Sequence, residues 1–93
     1  KQIQSPLITI KTYIKNNKAY LEVIDNGGGI NKEYMNTIFD PYFTTKATKE
    51  GSGLGLYMSK VIIEDHCNGT LRVKNNKEGA TFIISLDKKI NIF

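Results

Sequence analysis

Two glycine clusters and a lysine-bearing loop between them hold the residues of this chain that could do chemistry. The first cluster is Asp25-Asn26-Gly27-Gly28-Gly29-Ile30, and the second is Gly51-Ser52-Gly53-Leu54-Gly55-Leu56. Glycine lets backbone approach a ligand closely and take positive φ, and N–H groups at a helix start attract phosphate oxygens. The first cluster follows an alternating segment, Ala19 to Ile24, and the second precedes a helical pattern. A carboxylate closing one element and a phosphate cradle opening another are the parts of a nucleotide site.

The elements that must position these groups are legible from periodicity. Leu7 to Ile14 alternates, with Ile8, Ile10, Thr12 and Ile14 on one face, and Lys15-Asn16-Asn17-Lys18 supplies turn residues. Ala19 to Ile24 alternates again, so the two strands form a hairpin. Period 2 puts Asp25 on the face of Leu21 and Val23, the covered side of the sheet. Asn31 is placed to cap a short helix through about Ile38, and Pro41 stops it. Residues 39–52 lack periodicity and read as a lid. From Leu54 to His66 an apolar stripe of Leu54, Tyr57, Met58, Val61 and Ile62 stands opposite Lys60 and Glu64, and Asn68-Gly69 closes the helix. Thr70 to Lys74 and Ala80 to Leu86 form a second hairpin around Asn75-Asn76-Lys77-Glu78-Gly79. The expected architecture is α+β: a two-layer α/β sandwich with a mixed, mainly antiparallel sheet and helices on one face.

Composition narrows the function classes. Ninety-three residues, 40% hydrophobic, suffice for one small core, so residues 1–93 are read as a single domain. The apolar runs Val61-Ile62-Ile63 and Phe82-Ile83-Ile84 are far shorter than the roughly 20 residues of a membrane span. No membrane contact is expected of this segment. The net charge of +4 comes from scattered lysines without interleaved stacking aromatics, which argues against nucleic acid. A single cysteine, Cys67, and a polar start favour a reducing, cytoplasmic setting.

The order Asp25-x-Gly27-x-Gly29, then Phe39-Asp40-Pro41-Tyr42-Phe43-Thr44-Thr45-Lys46, then Gly51-Ser52-Gly53-Leu54-Gly55-Leu56 resembles the ATP-binding domain of bacterial sensor histidine kinases. These segments are similar to that family's first glycine box, phenylalanine box and second glycine box. The wider group, with the Bergerat ATP-binding fold, includes gyrase and MutL; the Phe-x-Pro-x-Phe-Thr-Thr-Lys turn resembles the kinases. The likeness covers about Leu7 to Leu86. It implies a two-component signalling role: ATP bound here would supply a phosphoryl group to a histidine on a separate dimerisation domain, with a response regulator downstream. The alternatives of the same fold are a catalytically inactive nucleotide-binding or interaction module, and an ATPase or serine kinase.

The resemblance also implies roles for particular residues. Asp25 would accept from the adenine 6-amino group, with Gly27, Gly29 and Ile30 lining the purine. Thr81 matches a family hydroxyl position near that aspartate. Gly51, Ser52, Gly53, Leu54, Gly55 and Leu56 would hold phosphates at the helix start, and Thr45 and Lys46 would reach them from the lid. Phe39 and Phe43 would anchor the lid on the domain or on a partner helix. His66 is read as a helix-end residue and not as a phosphoacceptor. The family's asparagine box, on a helix before the first hairpin, carries the Mg²⁺ ligand, and only Lys1 to Pro6 precede Leu7 here. The expectation is a fragment that binds ATP or ADP but lacks the Mg²⁺ ligand and does not phosphorylate itself.

Overall fold

Each expected strand forms, and the order in which they pair is what assembles the site. The computed structural model describes residues 5–44 and 53–87. The strands are β1 (Ile8–Lys15), β2 (Lys18–Asp25), β3 (Thr70–Asn75) and β4 (Ala80–Asp87), in the sheet order β1-β2-β4-β3. All three pairings are antiparallel. Asn16 and Asn17 both take positive φ, 54° and 64°, so the first hairpin closes through a two-residue turn whose twist matches the strands. The central pairing sets Ile24 against Thr81 and Val23 against Phe82. The end of β2 therefore lies beside the start of β4, and Asp25 meets the turn that precedes Ala80.

Helix α1 (Gly55–Val61) runs directly into a π-helical turn, Ile62–His66. The Cys67 N–H donates to Ile62 O across five residues, at 3.0 Å. Asn68, at φ 56°, ends the helix in left-handed geometry, and the Gly69 N–H donates back to Ile63 O. Leu56, Ser59 and Ile63 face Val23, Leu71, Phe82 and Ile84 across a gap between the helix and the covered sheet face.

The expected stripe is thus rotated. Met58 and Ile62 are 47% and 49% exposed, while Lys60 and Glu64 turn toward β3. Leu56, Ser59, Lys60, Ile63 and Glu64 recur at one helical spacing, so the covered face is set by the sheet and its edge strand and not by the densest apolar stripe. Edge strand β3 supplies the reason for two charges there. The Leu71 N–H donates to Glu64 Oε2 at 3.0 Å, and Lys60 Nζ donates both to Leu71 O at 3.2 Å and to Glu64 at 2.9 Å. The pair satisfies edge-strand backbone that no further described strand reaches.

The helix expected from Asn31 to Ile38 is instead one 3₁₀ turn, Lys32–Tyr34, followed by irregular turns. Asn31 does cap it, accepting from the Glu33 N–H at 3.1 Å. On the other edge, the apolar side of β1 is open: Ile8, Ile10 and Ile14 are each at least 60% exposed.

Candidate nucleotide-binding site

Asp25, Gly27, Gly29, Ile30, Asn31, Tyr34, Ile38, Leu56, Ala80 and Phe82 line an open cleft of about 510 Å³ between the covered sheet face and the 3₁₀ turn. Asp25 is its fixed polar group. Its Oδ1 accepts from the Gly27 N–H at 2.9 Å and the Ala80 N–H at 3.1 Å. Its Oδ2 accepts from no described residue. A carboxylate held through one oxygen presents the other as an oriented acceptor, strongest when water is displaced around it. The remaining walls, Ile30, Tyr34, Ile38, Leu56 and Phe82, suit a flat apolar ring.

Close backbone approach holds Asp25 in place. A Cβ on Gly79 would stand 2.3 Å from Asp25 O and 2.4 Å from its Oδ1, so only glycine lets the β3–β4 turn lie against β2. The Gly28 N–H donates to Glu78 O at 2.9 Å, tying the first glycine cluster to the same turn. Asn76 organises that turn, accepting at Oδ1 from the Glu78 and Gly79 N–H groups at 2.8 and 2.6 Å.

Thr81 does not join Asp25. It is buried at 4% exposure, pairs with Ile24 on the opposite face and bonds Asn76 Nδ2 at 3.0 Å. Strand alternation gives the place beside Asp25 to Ala80. Gly53, at φ +74°, lies where a Cβ would come within 2.5 Å of the Tyr42 carbonyl carbon, so this glycine packs the helix start onto the phenylalanine box. Gly55 opens α1, and a Cβ there would meet nothing within 4 Å, which removes helix–sheet packing as the reason for a glycine. Leu54 occupies the cap position. Thr45, Lys46, Gly51 and Ser52 lie outside the described residues, as does most of the expected lid.

Phe39 and Phe43 anchor on the domain. Phe39 meets Phe82 edge-on at 6.4 Å and carries Lys60 Nζ 5.0 Å from its ring centre, and Phe43 leans on Tyr34 at 5.4 Å. His66 is exposed at the helix end. The residues that sequence reasoning missed are Tyr34, Ile38, Asn75, Asn76, Gly79, Ala80 and Phe82. Asn75 to Gly79 read only as a turn, and its place beside Asp25 follows from sheet order, which one strand's periodicity does not carry.

Residues 2–90 match the histidine kinase-, DNA gyrase B- and HSP90-like ATPase family, and the chain belongs to it. Within it, the likeness is to sensor histidine kinases. The two-component sensor PprA of Pseudomonas aeruginosa is 46% identical over 71% of this chain, which spans 7% of that protein. The nucleotide-free catalytic domain of histidine kinase ThkA superposes with a TM-score of 0.77 at 34% identity, over 87% of this chain and 52% of that one. ThkA in complex with response regulator protein TrrA gives 0.74 at 31% identity, over 90% of this chain and 23% of that one.

Proposed function

We propose that this chain binds ATP and ADP in the Asp25 cleft and is the nucleotide-binding part of a protein-histidine kinase. The observation that carries the reading is the Asp25 carboxylate, with Oδ1 saturated by two backbone donors and Oδ2 left for a ligand. Oδ2 would accept from the adenine 6-amino group, with Ile30, Leu56 and Phe82 against the purine. Guanine offers a carbonyl at that position, and two acceptors would face each other.

The phosphates would run toward the α1 start, where the absence of a Cβ at Gly55 leaves room for anionic oxygens. Lys46 would add a mobile charge from the lid. In phosphoryl transfer the protein contributes position and charge stabilisation, so no covalent intermediate on this domain is needed. Bound Mg²⁺ would neutralise phosphate charge, and the family resemblance gives its protein ligand to an asparagine-box helix. The open apolar side of β1 supports such a helix, since Ile8, Ile10 and Ile14 share the sheet face with Val23 and Asp25.

The partners we infer are dimerisation helices carrying the acceptor histidine, and a response regulator downstream. Tyr42, Met58 and Ile62, exposed at 71%, 47% and 49%, provide apolar surface for the former. The ThkA complex supports the latter by likeness. No described helix is long and apolar enough to cross a membrane, and the cytoplasm is where ATP would be met. Calorimetry with ATP and GTP tests the binding reading, with equal affinity for both as the contrary result. Acid-labile label from radioactive ATP, in the protein that carries the dimerisation helices, tests the transfer. Acid-stable label would point to a serine kinase.

A further inference from the structure

We propose that Asn75 is a positioning residue for nucleotide recognition, acting as a two-point clamp on the backbone of Ile30. The inference rests on the nucleotide reading of the cleft and assigns a specificity role to a residue outside its wall.

Asn75 is the last residue of β3, 45 positions from Ile30 in sequence. Its Oδ1 accepts from the Ile30 N–H at 2.8 Å, and its Nδ2 donates to Ile30 O at 2.9 Å. The two contacts fix the amide's orientation, because a backbone N–H only donates and a carbonyl only accepts. One side chain thus does for Ile30 what a neighbouring strand would do. Ile30 needs this because Gly28 and Gly29, at φ +96° and +85°, leave extended geometry just before it. A Cβ on Gly29 would stand 3.0 Å from Asn75 Oδ1, so the glycine and the clamp fit each other.

The clamp joins the two cleft walls that a purine would touch. On one side it holds Ile30. On the other it continues into Asn76, whose Nδ2 bonds Thr81 and reaches Asp25 O at 3.4 Å, and into Ala80, the register partner of Asn75, whose N–H bonds Asp25 Oδ1. The separation of Ile30 from the Asp25 carboxylate is therefore set through Asn75 and the β3–β4 turn. Loss of the clamp frees the purine-contacting backbone while Asp25 keeps both of its own donors. The consequence is weaker adenine binding and poorer discrimination, with the sheet intact.

The test compares Asn75→Ala and Asn75→Asp with the parent protein by amide hydrogen exchange without nucleotide, and by calorimetry with ADP and GDP. Asn75→Ala should speed exchange in the Gly28–Ile30 segment about tenfold, the scale of one lost hydrogen bond pair, with β3 and β4 unchanged. ADP affinity should fall about tenfold, and the ADP-to-GDP ratio should fall with it. Asn75→Asp keeps the acceptor but sets a carboxylate against Ile30 O, and at neutral pH should lose as much. Unchanged exchange at Ile30, an unchanged ADP-to-GDP ratio, or acceleration spread equally over β3 and β4 would overturn the positioning role. A parent protein that binds no ADP overturns the nucleotide reading instead, and exchange in the ligand-free protein decides the clamp separately.

Discussion

Replacing Gly79 by alanine should destabilise the domain far more than the same change at Gly28, although Gly28 has the more unusual backbone. At Gly28 the φ of +96° penalises any L side chain, but a Cβ would meet nothing within 4 Å. The cost there is conformational, about 1–2 kcal/mol. At Gly79 a Cβ would stand 2.3 Å from Asp25 O, 2.4 Å from Asp25 Oδ1 and 2.8 Å from Asp25 C. Two of these three atoms are main chain inside a strand and cannot rotate away. The turn must lift off β2, with overpacking strain of about 1–3 kcal/mol. The lift also stretches the bonds from Ala80 N–H to Asp25 and from Gly28 N–H to Glu78 O, each worth about 1 kcal/mol net. Together Gly79→Ala should cost about 3–5 kcal/mol, a large share of a small domain's stability. Urea unfolding followed by circular dichroism gives both values, with slopes compared to confirm a common transition. A Gly28→Ala loss equal to or larger than that of Gly79→Ala would refute the contact argument.

Three further outcomes follow from single features. Lys60 first, and then the Leu71 N–H, hold the Glu64 carboxyl below its ordinary value, so its stabilisation is present above the ordinary glutamate range and is lost as pH falls through the lowered folded value; unfolding titrations from about pH 6 to about pH 3 should show a steeper loss in the parent than in Glu64→Gln. Asn17→Gly, at φ 64°, should stabilise the first hairpin by about 0.5 kcal/mol, and Asn17→Ala should destabilise it by about 1 kcal/mol, read from denaturation midpoints. Ile10→Lys should leave the stability of this chain alone within about 0.5 kcal/mol but destabilise a longer protein in which a helix covers β1, and equal effects in both would remove the covering helix from the account.

The strands, their faces and the position of Asp25 were legible because alternation and turn chemistry are local properties. Asn16-Asn17 and the Leu21-Val23-Asp25 face are examples. What escaped was set by tertiary contacts. The covered face of α1 escapes the sequence because apolar spacing does not show that Lys60 and Glu64 serve the backbone of edge strand β3, which leaves Met58 and Ile62 outward. The 3₁₀ turn after Asn31 has no sequence mark that separates it from a short helix. Thr81 was placed beside Asp25 from a family position, whereas the register of β2 on β4 gives that place to Ala80. Asn75 and Gly79 were seen as turn residues, and their work on Ile30 and Asp25 depends on a strand order that brings residues about fifty positions apart together.

Asp25 is assigned to the exocyclic group of a purine, and the decisive variant is Asp25→Asn. Asparagine keeps an oxygen for the Gly27 and Ala80 N–H groups, so the fold should survive, but it turns the second position from acceptor to donor. Calorimetry of the parent and variant with ADP and inosine diphosphate gives one number for each, the ratio of the two affinities. The expected ratio favours ADP in the parent and falls about tenfold or more in the variant, because a donor now faces the adenine amino group and can serve the hypoxanthine carbonyl. A variant whose ratio equals that of the parent, with its fold intact, would contradict the assignment of this cleft to adenine.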